Sequence, residues 1–170
     1  MEEKGVASKN DKAYLYGNNP EKEMKEYIYT LEMETRDYEC DIQGIVNNAN
    51  YQHYLEVTRH KWIQSEGFSF ADWHNQGIDV VVREINIKYK HSLKGGEEFL
   101  SCLNVSRDGA RFIFHQDIYR KRDMVLCIEA RVETVSIVNG RLSRGDEVGS
   151  LLAKYIQQKS TLTNTDPYKK

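Results

Sequence analysis

The sequence predicts an α+β domain in which one long central helix is wrapped by a curved antiparallel sheet of about five strands. Three patterns carry this. A period-two run opens the structured part, since Tyr27, Tyr29, Leu31 and Met33 alternate with Ile28, Thr30, Glu32 and Glu34. A period near 3.6 follows, with Tyr51, Tyr54, Leu55, Thr58 and Trp62 on one helical face. Everything after that helix reads as strand and turn. One helix cannot cover both faces of such a sheet, so the sheet is expected to curl around it and a second subunit to extend or cover the rest.

The elements follow in order. Residues 1–24 are rich in Lys, Glu, Asn and Gly and are expected to form a flexible arm, in which Tyr14 and Tyr16 dock locally. The domain proper is expected over 25–158 and a disordered tail over 159–170. The helix is expected from about 48 to 66. Asn47 or Asn48 serves as N-cap, because an amide oxygen can accept an otherwise unpaired N–H, and Gly67 suits a left-handed C′ position. In the next strand Val80 and Val82 share one parity while Ile85, Ile87 and Tyr89 have the other, which predicts a β-bulge near Arg83-Glu84. Asp108-Gly109 is read as the two-residue turn of a hairpin, and residues 120–123 as a charged turn before a long final strand.

Composition narrows the function classes. The 170 residues suit one domain, and the formal net charge of -2 offers no bulk attraction to nucleic acid or to an anionic membrane. No apolar run approaches the ~18 residues a membrane span needs. Cys40, Cys102 and Cys127 form no CxxC pair and have no His neighbours at metal spacing, so no metal site is expected. Free thiols and no apolar leader among the first twenty residues point to a cytoplasmic location.

The chemistry concentrates in residues 36–51. Asp37, Glu39 and Asp41 fall within five positions just before the helix. A carboxylate there is favoured by the helix dipole, and the same helix end offers free backbone N–H groups for a developing oxyanion. Gly44 lets the chain turn sharply and a substrate approach the backbone. An acid opposite an oxyanion donor suits acyl transfer, in which the acid attacks the carbonyl or activates water. Capping and turn roles account for the same residue types equally well.

The stretch Asp41-x-x-Gly44-Ile45-Val46-x-x-x-Asn50-Tyr51-x-x-Tyr54-x-Glu56 resembles the signature of the 4-hydroxybenzoyl-CoA thioesterase-like branch of the hotdog superfamily. The run 82–89 and the element order over 25–158 resemble that family as well. The resemblance implies hydrolysis of an acyl-CoA thioester by a homodimer or dimer of dimers, with the active site at the subunit interface and no metal or redox cofactor. It implies Asp41 as nucleophile or general base and the backbone N–H near Asn48 as oxyanion donor. Gly44 and Tyr51 are the candidate substrate contacts beside them. One related branch carries His at the position of Asn48 and another an aromatic residue. Asn48 can donate a hydrogen bond but supplies no proton at neutral pH, so substrate class transfers from neither.

Other residues weigh less. Glu39 reads as a solvated loop acid, and Glu56 as a structural or interface residue although some hotdog thioesterases use a helix carboxylate. Arg59, His60 and Lys61 are expected to face solvent or a partner subunit; His53, His91 and His115 have no evident role. Arg107 and Arg111 flank the hairpin where the aromatic-CoA branch binds the nucleotide, and Arg120, Lys121 and Arg122 form a second basic cluster; ordinary charged turns explain both groups too. Two alternatives remain: a thioesterase acting on acyl-carrier protein, and a non-catalytic acyl-thioester-binding protein.

Overall fold

The computed structural model describes residues 13–15 and 25–156. Strands β1 (Ala13–Leu15) and β2 (Lys25–Tyr27) pair antiparallel, so part of the expected arm is a strand, with Tyr14 opposite Glu26. Tyr16 and residues 157–170 lie outside the described residues. The opening period-two run is not one strand. It breaks at Ile28, and β3 (Tyr29–Glu34) joins the main sheet instead. Asn104 holds the break: its amide donates to the Glu26 carbonyl at 2.6 Å and accepts from the Ile28 N–H at 3.2 Å. Below it, the buried Asp117 accepts from Tyr27 at 2.6 Å and Lys25 at 2.7 Å, which fastens β2 over the outer face of the sheet.

A short 3₁₀ turn (Asp37–Glu39) leads through a loop into α1 (Asn48–Ser65). All five residues of the expected helical stripe are buried, and burying an aliphatic side chain such as Leu55 contributes about 1.5–3 kcal/mol. The cap is Asn47, whose side chain accepts from the Ala49 N–H at 3.0 Å. Gly67 ends the helix at φ 84°, where a β-carbon is disfavoured. Two helices lie outside the expected elements: α2 (Phe70–Asn75), capped by Ser69, and α3 (Asp146–Ile156) near the end of the described chain. α2, with six residues, is too short for a period to show, whereas α3 carries Val148, Leu152 and Tyr155 at helical spacing, a stripe that reading the stretch as strand and turn misses.

The main sheet continues with β4 (Ile78–Tyr89), β5 (Glu98–Asp108), β6 (Arg111–Arg120), β7 (Val125–Val138) and β8 (Arg141–Leu142). Its order is β3-β5-β6-β7-β4 with β8 on β7, all pairs antiparallel. The expected bulge sits between Val82 and Glu84. The hairpin turn is shifted by one from the expected pair: Asp108 pairs with Arg111, so Gly109 and Ala110 are the turn residues. Of these only Gly109 has positive φ, as a type II′ turn requires.

The concave face of the sheet receives α1. Phe99, Phe112, Phe114, Ile118, Ile128 and Val132 meet Tyr54, Leu55, Trp62 and Ile63 in the core. Polar contacts set the helix in register: Thr58 donates to its own helix at Tyr54 and lies 2.7 Å from Ser101, and Gln116 donates to the Leu55 carbonyl at 3.0 Å. The sheet therefore curls round one helix, as the sequence led us to expect. Its edge β4 is left with Val82, Ile85 and Tyr89 exposed.

Candidate functional site

The loop before α1 is a tight hairpin. Asp41 N–H donates to the Ile45 carbonyl and Gly44 N–H to the Asp41 carbonyl, each at 2.9 Å, and Cys40 bridges Val46. Gly44 has φ 73°, and a β-carbon there would meet nothing within 4 Å. Its requirement is therefore conformational. One Asp41 carboxylate oxygen accepts from the Gln43 N–H at 2.8 Å, an Asx turn that fixes the side chain, and the other oxygen has no partner among the described residues.

The hairpin is held from below. Val46 N–H donates to the Leu93 carbonyl at 2.8 Å, and Asn47 N–H and the Asn50 amide both donate to the Glu39 carbonyl, at 2.9 and 2.7 Å. Glu39 is not a solvated acid. Its carboxylate accepts from Tyr54 OH at 2.7 Å and from the Arg36 N–H at 2.8 Å, and its side chain is 12% exposed. Burial and this acid raise the Tyr54 phenol well above its ordinary value, so it stays a donor. Gly95 presses on the same loop, where a β-carbon would come within 2.5 Å of Asp37.

At the start of α1, Asn47 accepts from Ala49 through its side chain and from Asn50 through its carbonyl. The Asn48 N–H has no acceptor among the described residues and belongs to the first helical turn, where donors lack intrahelical partners. The Asn48 carbonyl is taken by Tyr89 OH at 3.2 Å, tying the helix start to β4. Asp41 and Asn48 thus lie on either side of one bridge, Cys40–Val46, the first on the hairpin loop and the second at the helix start that follows it.

The remaining candidates sit elsewhere. Tyr51 is 2% exposed, with its hydroxyl accepting from Leu93 N–H at 3.1 Å, so it supports the loop from within the core. Arg107 and Arg111 lie at the opposite end of β5 and β6, roughly 26 Å along β5 from the Phe99 end at ~3.3 Å per residue. Arg107 donates to the carbonyl of Arg144 at 2.8 Å and to Asp146 at 3.0 Å, beneath α3, and Arg111 pairs with Asp108 and Glu133. Arg107→Ala is expected to loosen α3 at a cost of about 1 kcal/mol, read as a lower Tm, since most of its contacts are partly exposed. The second basic cluster is also paired: Arg120 with Asp123, Lys121 with Glu32 and Glu98, and Arg122 with Glu97. Cys102 and Cys127 are buried and their thiols pushed up to about 12 and about 11, which makes them poor nucleophiles. No cluster of metal-binding side chains occurs among the described residues, and no described helix is long and apolar enough to cross a membrane.

Sequence reasoning missed Glu39, Asn50, Tyr54 and Tyr89 as the frame of the hairpin. Asn50 and Tyr54 stood in the motif, but their shared partner Glu39 is visible only once the chain folds back.

Comparison with known proteins places the chain in a family. The model described as the thioesterase-like superfamily matches residues 35–156. The chain is 30% identical to the chloroplastic acyl-acyl carrier protein thioesterase ATL3 of Arabidopsis thaliana over 111 residues, 65% of this chain and 58% of that protein. It is 42% identical to the putative acyl-CoA thioesterase YneP of Bacillus subtilis over 71 residues, 42% of this chain and 51% of that one. The chain thus spans less than two thirds of either relative. Among solved structures, the DHNA-CoA thioesterase of Staphylococcus aureus superposes with a TM-score of 0.69 at 26% identity, covering 79% of this chain and 92% of that one.

Proposed function

Because the chain belongs to the thioesterase-like superfamily, we propose that it hydrolyses an acyl-CoA thioester to the free acid and CoA. The observation that carries this reading is the hairpin that bears the Asp41 carboxylate and leads directly into the helix start, where the Asn48 N–H has no acceptor among the described residues. The N–H polarises the thioester carbonyl and holds the negative oxygen of the tetrahedral intermediate. Asp41 either takes a proton from the attacking water or attacks the carbonyl itself, giving an anhydride that water then opens. Collapse expels CoA as a thiolate, a good leaving group that needs no acid from the side chain of residue 48.

The same reading makes the working unit a dimer joined through β4. This strand is a twelve-residue sheet edge whose outer side has no partner among the described residues, with Val82 46%, Ile85 37% and Tyr89 50% exposed. Unpaired apolar edges recruit another strand. The opposite edge, β3, is half as long and carries exposed Glu32 and Glu34. Pairing of β4 with its copy brings the second subunit against Tyr89, and so against the helix start where Asn48 sits. Two such dimers could join face to face. The free thiols support a reducing compartment, for which we propose the cytoplasm.

A thiol-release assay over acyl-CoAs from acetyl to palmitoyl, aromatic acyl-CoAs and matching acyl-carrier-protein thioesters tests the function. Turnover of at least one acyl-CoA is the expected result. Turnover on the carrier protein alone would favour the activity named for the Arabidopsis relative, and binding without thiol release would refute catalysis.

A further inference from the structure

Arg59 was expected to face solvent or a partner, yet it is 6% exposed. One guanidinium nitrogen donates to the Gln116 amide oxygen at 2.8 Å, and the group lies 5.8 Å from the centre of the Phe114 ring. Among the described residues it makes no ion pair. Burial pulls its pKa down to about 10, which leaves it a cation at neutral pH. One neutral hydrogen bond and one ring offset little of the cost of taking a charge out of water. Its own Glu56, one turn back on α1, offsets part of that cost through space but makes no ion pair with it, so the subunit holds a buried positive charge that no carboxylate among the described residues touches.

That charge faces a cavity of about 180 Å³ between α1 and β4, walled by Phe70, Val80 and Val82 and rimmed by Glu56 and His60. Glu56 is one helical turn before Arg59, with 58% of its side chain exposed and, among the described residues, only His60 within ion-pair range, at 3.8 Å. Asp79, the other acid on the rim, is occupied by His74 at 2.6 Å. So an unpaired buried cation and an under-used carboxylate share one cavity beside the free strand edge.

We propose that Arg59 is completed by the partner subunit's Glu56, so that two reciprocal ion pairs lock the α1 helices together across the twofold axis of the β4-joined dimer. The inference rests on the dimer reading above. The symmetry fits. A twofold that pairs residue 56 with residue 59 of the copy is centred at Val57–Thr58, within about one residue of the middle of α1. Val57, 42% exposed, lies at that centre as an apolar contact. The same axis, passing the midpoint of β4, sets Val82 opposite Ile85 of the copy, the exposed apolar residues on either side of the bulge. Each subunit thus carries both halves of the pair, and within one subunit the two do not come into ion-pair contact.

Charge exchange tests this by light scattering and sedimentation at micromolar concentration. The wild type is expected to be dimeric. Glu56→Arg, at an exposed position, faces Arg59 of the copy with a like charge and should weaken the dimer by on the order of 10²-fold or more. Arg59→Glu should do the same. Mixing the two variants should give a one-to-one heterodimer, because each interface pair is then again opposite in charge. A contact within one chain cannot produce that rescue. If Arg59→Glu does not fold alone, co-expression with a tagged Glu56→Arg chain gives the same readout: co-purification supports the pair, and its absence overturns it. A wild-type dimer that both single variants match in affinity overturns the ion pair and leaves the edge pairing standing. A monomeric wild type overturns both.

Discussion

Asp41→Asn is expected to lower kcat by about 10²-fold or more while leaving the fold and the dimer intact. The substitution changes one property. The amide oxygen of Asn still accepts from the Gln43 N–H, the 2.8 Å bond that makes the Asx turn, so the hairpin from Asp41 to Ile45 keeps its shape. The negative charge is lost, and with it the capacity to take a proton from water or to attack the carbonyl. Asp41→Ala would be a poorer test, because it also removes the turn's acceptor. Steady-state kinetics on the best substrate of the panel, with circular dichroism as a control on folding, decides the matter. A folded Asp41→Asn enzyme with wild-type kcat would move the base elsewhere.

The second large effect is expected at Asn48, and it separates backbone from side chain. Asn48→Ala should keep most of the activity, and nearly all of the stability too, because Asn47 is the residue that caps α1. Asn48→Pro removes the N–H itself and should cost about 10²–10³ in kcat, the scale of losing one oxyanion donor. The fold is ready to accept that proline. Position 48 is the first of the helix, where proline's fixed φ is suited and no intrahelical bond is lost. Asn47 already has φ -60° and ψ 136°, the extended conformation that a residue before proline prefers. The Asn48 carbonyl, which Tyr89 engages, is retained. An Ala variant as inactive as Asp41→Asn in a stable dimer would make the amide side chain the working group.

What the sequence by itself determined is what depends on neighbours along the chain. The stripe of Tyr51, Tyr54, Leu55, Thr58 and Trp62 specified α1 because a 3.6-residue period needs no knowledge of the sheet it packs on. The parity switch between Val82 and Ile85 located the bulge, because side chains on a strand alternate whatever their partner. The turn at Gly44 and the helix start after Asn47 were legible for the same reason: both are set by residues within eight positions of one another. Tertiary structure alone decided the rest. Asn104 and Asp117, some ninety and more residues after β1 begins, bend the first run over the outer face. Glu39 became a half-buried acceptor only because Tyr54 on α1 reaches back to it. The burial of Arg59 and the isolation of β4 at the sheet edge depend on where the helix lies across the strands. Periodicity reports which residues share a face, whereas which partner covers that face is set by long-range chain topology.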